Sequence, residues 1–182
     1  MKHLSVGELE AGIERVMDAP ADSGTLSLIV RRPSVDEREI LESGELDVAQ
    51  GLIGDGWRSR AGSRAGQSPN RDTQITMMSA RVIALIAGDT ERWPLAGDQL
   101  YVDFDLGEDN LPAGTRIAIG GAVIEVSSAP HTGCKKFSQR FGVDALRFVN
   151  SEAGRKLRLR GLNASVILPG TIHLGDLVQK HA

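Results

Sequence analysis

The stretch RIAIGGAVIEV, residues 116–126, contains two short apolar runs separated by Gly120 and Gly121. Two glycines between runs of β-branched residues are typical of a tight β-hairpin, since the turn needs positive φ angles that glycine adopts without strain. The sequence therefore predicts two antiparallel strands, at 116–119 and at 122–126.

Further short strands are predicted on both sides of this hairpin. Alternating or continuous apolar residues indicate strands at 25–32, 74–78, 101–106, 156–160, 164–168, 171–174 and 177–180. In the first of these, Leu26, Leu28 and Val30 are expected to share one face. Many short strands divided by glycine turns favour a mainly β fold, a closed β-barrel with a few short helices, over an alternating parallel α/β fold.

Short helices are predicted at the N-terminus and between the strands. Ser5 and Glu8 have the spacing of a capping box, apolar residues follow at helical spacing, and Pro20 closes the segment. Residues 80–87, preceded by Ser79 as the expected cap, and residues 143–150 are also helical in pattern. We therefore divide the chain into an N-terminal helical appendage, 1–22, and a barrel domain, 23–182.

Composition limits the class of protein. The chain has 182 residues, of which 41% are hydrophobic, and a formal net charge of −3. That charge gives no argument for nucleic acid or an anionic membrane as a partner. No apolar run approaches the roughly 20 residues of a membrane span, and the N-terminus lacks the apolar segment of a signal peptide. We therefore expect a cytoplasmic protein.

The single cysteine, Cys134, lies in the segment PHTGCKKF, residues 130–137, and a helical pattern follows it. One cysteine excludes an internal disulfide and fits a reducing compartment. A thiol becomes a strong nucleophile or metal ligand as the thiolate, which positive charge and a helix N-terminus favour. His131, Lys135 and Lys136 supply such charge. The alternative is that Cys134 is buried and inert, as many free cysteines are.

Two further features of the sequence have more than one interpretation. The segment from Arg58 to Arg71 is rich in Gly, Ser and Arg, and is typical either of a lid over an anionic ligand or of a solvated basic loop. Asp55, Asp103 and Asp105 are candidates for a site that binds a hard cation, provided that folding brings them together.

The order of the motifs resembles the MOSC domain, the C-terminal domain of molybdenum-cofactor sulfurases, which also occurs alone in small bacterial proteins. The motifs are GLIGD at 51–55, GDQL at 97–100, NL at 110–111, the glycine hairpin, the cysteine segment, GRK at 154–156, RGLNA at 160–164 and GTIHLGD at 170–176. The resemblance covers residues 25–180. It implies a β-barrel related to the barrel domain of pyruvate kinase.

The resemblance also implies site residues. Cys134 matches the family's functional cysteine, which either carries sulfur as a persulfide or ligates molybdenum in a pterin cofactor. Asn110 matches a family asparagine, although one residue is inserted in its segment, and Gly133 stands where relatives often have proline. His131 is expected to take the proton from Cys134, because histidine titrates near physiological pH. The residues expected to bind the cofactor are Thr132, Gly133, Lys135, Asn110, Arg160 and Asn163.

Three hypotheses on function follow. In the first, the protein is a sulfur carrier, and Cys134 accepts sulfur from a separate cysteine desulfurase, because this chain has no large pyridoxal-phosphate domain. In the second, it is an oxidoreductase that binds the molybdenum-pterin cofactor through Cys134 and reduces N-hydroxylated compounds with electrons from a separate electron-transfer protein. In the third, it is a non-catalytic barrel that binds a small anion or nothing. The sulfur carrier is the leading hypothesis.

Overall fold

The computed structural model describes residues 3–61 and 69–181. The strands are β1 (Ser23–Arg31), β2 (Glu39–Leu41), β3 (Ser43–Asp47), β4 (Gly51–Leu52), β5 (Ile75–Ser79), β6 (Leu100–Asp103), β7 (Arg116–Ile119), β8 (Ala122–Val126), β9 (Leu162–Leu168), β10 (Gly170–His173) and β11 (Leu177–His181). The helices are α1 (Val6–Ala11), α2 (Ile13–Met17), α3 (Trp57–Ala61), α4 (Ala80–Ala87), α5 (Lys135–Phe141), α6 (Val143–Asn150) and α7 (Glu152–Lys156). Two 3-10 helices span Arg71–Thr73 and Thr90–Ala96.

Seven strands form a closed barrel. Their hydrogen bonding runs in the order β11, β7, β8, β9, β5, β6, β1, and β1 pairs with β11 to close the ring. β5 and β6 are parallel, whereas the other neighbours in the ring are antiparallel. Outside the ring, β2 pairs with β1, and β10, β3 and β4 form a separate three-stranded sheet. The predicted fold class is confirmed, and so is the glycine hairpin, in which Ile119 pairs with Ala122.

The alternation of side chains along the strands produces two hydrophobic cores. Neighbouring residues in β1, β5 and β6 face opposite sides of the barrel wall. The residues that face the interior are Ile29, Met77 and Leu100. The residues after them, which face the helices, are Val30, Met78 and Tyr101. The interior set belongs to the barrel core, together with residues such as Phe104 and Ile124. The outer set belongs to the helical-layer core, together with Phe137, Phe141 and Phe148. Each fully buried apolar side chain of this size stabilises the fold by about 1.5–3 kcal/mol.

The helices cover the outer face of the barrel, and α1 and α5 both pack against α6. α1 begins with the predicted capping box, in which the Ser5 hydroxyl accepts the Glu8 N–H and the Glu8 carboxylate accepts the Ser5 N–H at 2.8 Å. Leu9 and Val16 are buried in the helical-layer core. The domain boundary between residues 22 and 23 stays a prediction. In the described part of the chain, no helix is long and apolar enough to cross a membrane.

The prediction of a strand at 156–160 is wrong. These residues contain the end of α7, at Lys156, and then a turn. Arg158 in that turn has a φ angle of 47°, which lies outside the extended region that a strand needs. The alternation of apolar residues here serves the packing of a turn, in which Leu159 is buried in the helical-layer core.

Two details of the other predictions are also wrong. Leu26, Leu28 and Val30 do not share one face, because the register between β1 and β6 shifts between Leu26 and Leu28, as in a β-bulge. Leu26 therefore faces the barrel interior, while Val30 faces the helices. Ser79 precedes α4 as predicted, but its hydroxyl makes no capping hydrogen bond.

Candidate functional site

Cys134 lies at the first turn of α5, as the sequence predicts. Its backbone is extended, with φ −118° and ψ 178°, and its carbonyl accepts the Ser138 N–H at 3.1 Å. Phe137 and Phe141 on the inner face of α5 are buried, and Gly142, with a φ of 95°, ends the helix. The thiol itself is exposed. The alternative that Cys134 is buried is therefore wrong, whereas its reactivity stays a prediction.

The residue before Cys134 is held by α6. Gly133 donates its N–H to Asn150 Oδ1 at 2.9 Å, and Asn150 Nδ2 donates to the Gly133 carbonyl at 3.1 Å. The sequence analysis did not identify Asn150. Its position as the last residue of a predicted helix, a place where polar side chains bind nearby backbone groups, was the available signal.

His131 lies against a buried carboxylate. Its Nδ1 is 3.6 Å from Oδ1 of Asp98, and the two side chains are 14% and 0% exposed. Burial lowers the pKa of His131 to about 3, and the positive charges of Arg160 and Arg32 act in the same direction. The negative charge of Asp98 raises this pKa, but by less than the other effects lower it. His131 is therefore neutral and a weak base at neutral pH, which differs from the expectation that it titrates near physiological pH. Its catalytic role stays a prediction.

Arg160 joins this carboxylate to the cysteine helix. Its Nη1 donates to Asp98 Oδ2 at 2.6 Å and its Nη2 donates to the Ala96 carbonyl at 2.9 Å. The guanidinium carbon lies 5.0 Å from the centre of the Phe137 ring, a cation–π contact with the first turn of α5. Sequence reasoning included Asp98 only as part of a family motif and gave it no role. The structure makes it the counter-ion of Arg160.

Three buried polar atoms in this cluster lack hydrogen-bond partners. They are Asp98 Oδ1, His131 Nδ1 and Arg160 Nε, none of which has a partner among the described residues. Buried polar groups in proteins are nearly always satisfied by protein or water. Three such atoms on adjacent side chains therefore mark a place where a proton, a water or a ligand completes the hydrogen bonding.

A cavity of about 120 Å³ lies beside the cysteine segment. Its polar lining combines three arginines and hydroxyl groups, which are donors that suit an anion, with His131 and the carboxylate of Glu108. Among the predicted site residues, His131, Thr132 and Arg160 line it, whereas Gly133, Cys134, Lys135, Asn110 and Asn163 are not part of its described wall. Two arginines to which the sequence analysis gave no role in the site, Arg155 and Arg158, line the same cavity.

The two predicted asparagines have structural contacts. Asn163 is buried and donates to the Ala129 carbonyl at 3.1 Å, so that it holds the beginning of the cysteine segment. Asn110 donates to the carbonyls of Asp105 and Ala21 at 2.8 and 3.1 Å. Asn110 therefore ties two loops together. Cofactor binding by either asparagine stays a prediction.

The remaining sequence predictions fall into two groups. The prediction of a cation site at Asp55, Asp103 and Asp105 is wrong, since no group of three or more metal-ligating side chains occurs among the described residues. Asp55 instead pairs with Arg32, and Asp103 pairs with Arg81. The predicted lid includes residues 62–68, which lie outside the described residues. At its end, Arg71 donates to the Val166 carbonyl at 3.0 Å.

Comparisons with known proteins give one family model and several solved structures of similar fold. The family model described as "MOSC domain" matches residues 70–179. The YuaD protein from Bacillus subtilis superposes with a TM-score of 0.64 at 19% identity, over 88% of this chain and 96% of that one. YiiM from Escherichia coli gives 0.55 at 19% identity, over 87% and 70%. YiiM from Geobacillus stearothermophilus gives 0.59 at 14% identity, over 88% and 75%. At these identities, the structural likeness shows the fold. A search of curated proteins gives no significant match.

Proposed function

Because the chain belongs to the MOSC domain family, which is associated with the molybdenum cofactor, we propose that Cys134 carries sulfur as a persulfide in metal–sulfur or molybdenum-cofactor metabolism. The observation that supports this proposal is the position of the thiol, which is exposed at the start of α5. A carrier has to receive sulfur from one protein and deliver it to another, so its cysteine has to be accessible to both.

The proposed transfer needs no external oxidant. The Cys134 thiolate attacks the outer sulfur of a donor persulfide, R–S–SH, and forms a new S–S bond. The donor S–S bond breaks, the donor leaves as R–S⁻, and the outer sulfur keeps its proton on Cys134. An acceptor thiolate then attacks the same outer sulfur and releases Cys134 as the thiolate. Electrons and charge balance in each step.

The proposed donor is a cysteine desulfurase, a separate protein that forms its own persulfide. Lys135, directly after Cys134, is exposed and has no ion pair within the described residues, so its charge is available to an acidic surface of the partner. We place the protein in the cytoplasm, where a free thiol stays reduced.

Mass spectrometry tests the carrier. The wild-type chain is incubated with a cysteine desulfurase and cysteine, without metal, and its intact mass is measured before and after reduction. We expect the mass of one added sulfur atom, removed by a thiol reductant and not gained by Cys134→Ser. A wild-type chain that gains no sulfur would reject the carrier.

The oxidoreductase is the second candidate function, and the arginine-lined cavity supports it. Thr132, Arg155 and Arg158 supply donors that suit the phosphate of a pterin cofactor, and the buried Arg160 Nε has no hydrogen-bond partner among the described residues. The donors suit the phosphate of such a group: Thr132, Arg155 and Arg158 would hold it, and the exposed Cys134 thiolate, which lies outside the described wall of the cavity, would ligate molybdenum. The bound cofactor would supply a redox-active metal for the reduction of N-hydroxylated compounds, with electrons from a separate protein.

Metal content distinguishes the candidates. Molybdenum that copurifies with the wild-type chain and is lost in Cys134→Ser supports the oxidoreductase. A persulfide that forms on Cys134 in metal-free protein supports the carrier. If neither appears and Cys134→Ser is only less stable, the barrel is non-catalytic.

A further inference from the structure

The backbone of Gly133 is bound by one side chain through both of its polar groups. The Gly133 N–H donates to Asn150 Oδ1 at 2.9 Å, and Asn150 Nδ2 donates to the Gly133 carbonyl at 3.1 Å. Only an amide side chain offers an acceptor and a donor side by side in this way. The pair of bonds reproduces the contact that a neighbouring β-strand would make, and it restrains both peptide groups of Gly133.

The lack of a side chain at Gly133 makes this contact possible. A Cβ atom at Gly133 would lie 2.7 Å from Leu146 Cδ1, 3.1 Å from Val149 Cγ2 and 3.4 Å from Asn150 Nδ2. The φ angle of Gly133 is not positive, so the backbone conformation does not require glycine. Glycine lets the segment lie directly against α6, and a Cβ atom here would force the Leu146 side chain or the segment itself to shift.

Asn150 is itself held in place. It is the last residue of α6, and its carbonyl accepts Arg155 Nε at 2.9 Å. The next residue, Ser151, caps α7 by accepting the Gly154 N–H at 3.0 Å. The amide that binds Gly133 therefore projects from a junction of two helices whose backbone is fixed by hydrogen bonds.

Cys134 follows Gly133 directly and makes no side-chain capping bond to α5. The direction of its exposed thiol is set by the backbone before it, through Asn150, and by the helix after it. We infer that Asn150 is a positioning residue that orients Cys134 for sulfur transfer. This inference rests on the carrier function proposed above.

The test uses single-turnover transfer from a persulfide-charged cysteine desulfurase to the full chain. Asn150→Ala removes both hydrogen bonds, and Gly133→Ala pushes the segment away from α6 while leaving the amide intact. We expect each to lower the limiting rate of transfer by about 10- to 100-fold, with the half-saturating donor concentration unchanged, because small misplacements of a reacting atom have effects of this size.

Arg147→Ala is the matched control. It changes an exposed residue of the same helix, α6, whose described partner is Asp144 and not Gly133 or Asn150, so we expect its limiting rate to equal that of the wild type. Alkylation of Cys134 by iodoacetamide, which imposes no protein-guided orientation, should be unchanged in all variants and reports that the thiol is intact and accessible.

The outcomes separate the two proposals. Wild-type rates in both Asn150→Ala and Gly133→Ala overturn the positioning role while leaving the carrier intact. An equal loss of rate in Arg147→Ala also overturns it, since the effect would then be a general loosening of α6. No sulfur on the wild-type chain rejects the carrier, and the positioning role with it. If Asn150→Ala does not fold, Gly133→Ala decides the question in the same assay.

Discussion

Two buried arginine–aspartate pairs among the described residues differ in how completely their hydrogen bonds are satisfied. Arg32 and Asp55 form two parallel bonds, at 2.9 and 3.0 Å, and the Asp55 carboxylate also accepts the N–H groups of Arg32 and Trp57. Arg160 and Asp98 share one bond, at 2.6 Å. In the second pair, Asp98 Oδ1 and Arg160 Nε have no partner among the described residues.

The difference between the pairs indicates different roles. A bidentate pair with further backbone bonds is a rigid connection, and Arg32–Asp55 ties the end of β1 to the turn after β4. An incompletely bonded pair beside a cavity keeps polar atoms available for another group. Arg160–Asp98 lies there, with His131 next to Asp98 and Phe137 under the guanidinium. We interpret the first pair as structural and the second as part of the site.

The largest expected effect is that of Asp55→Asn. The change keeps the shape but removes the charge that balances Arg32, in a pair whose side chains are 12% and 0% exposed. Breaking a buried pair from one side costs about 3–5 kcal/mol, and we expect the upper part of that range. Urea unfolding followed by circular dichroism measures it. A cost below that of the Asp98 variant would reverse our assignment of the structural pair.

Asp98→Asn is expected to have the next largest effect. It leaves Arg160, whose side chain is 7% exposed, without its counter-ion. The Asp98 carboxylate accepts one strong hydrogen bond from Arg160, whereas the Asp55 carboxylate accepts several, so fewer bonds are weakened than in Asp55→Asn. We expect a cost of about 3 kcal/mol, the lower part of the range for buried pairs. The double variant Asp98→Asn with Arg160→Met is the control, because it leaves no unpaired charge. If the double variant is no more stable than the single one, the ion pair is not the cause.

His131, which lies next to Asp98, makes the stability of the folded protein depend on pH. Its pKa is lowered to about 3 in the folded protein, from 6.5 in the unfolded chain, so the unfolded chain binds the proton more readily. Its contribution to stability is present above pH 6.5 and is lost as the pH falls toward 3. One proton changes the free energy of unfolding by about 1.4 kcal/mol per pH unit, so we expect a loss of about 2 kcal/mol between pH 6.5 and 5.

His131→Phe is the variant that checks this pH dependence, with unfolding measured at pH 7 and at pH 5. The variant should lose less stability on acidification than the wild type does. Equal losses in the two proteins would assign the acid sensitivity to other groups.

The smallest expected effect belongs to a third aspartate, Asp36, which pairs with Arg140 at 2.9 Å and with Lys136 at 3.4 Å. The Asp36 side chain is 60% exposed, and water screens its interactions. We expect Asp36→Asn to change the free energy of unfolding by about 0.2–1 kcal/mol, less at high salt. Urea unfolding at low and high ionic strength measures it. A cost as large as that of Asp98→Asn would show that exposure does not decide the strength of these pairs.

Much of the fold could be predicted because its signals are local. The glycine hairpin, the capping box at Ser5 and the helices at 80–87 and 143–150 depend on neighbouring residues, and all occur as predicted. The strand predicted at 156–160 failed because an alternating apolar pattern over five residues fits a helix end and a turn equally well. The prediction that Leu26 and Val30 share one face was wrong because the bulge between Leu26 and Leu28 depends on how β1 pairs with β6, which the sequence of β1 does not show.

The candidate site could be predicted only in part. The sequence identified Cys134, its helix and the exposed basic residues after it, because these are neighbours in the chain. It gave no role to Asp98 or Asn150, because an aspartate in a motif and an asparagine at a helix end have no chemical meaning until their partners are known. It also expected His131 to titrate near neutral pH, since burial beside Arg160 is not visible in the sequence.

The sequence by itself therefore determined a mainly β barrel with short helices, and one cysteine at the start of a helix. Period-two patterns, glycine turns and a single thiol are properties of short stretches. Tertiary structure decided which groups surround that cysteine. Asp98 meets Arg160 across 62 residues, and Gly133 meets Asn150 across 17. Such contacts depend on how the barrel closes and how the helices pack on it, because side chains distant in sequence become neighbours only when strand register and helix packing are fixed.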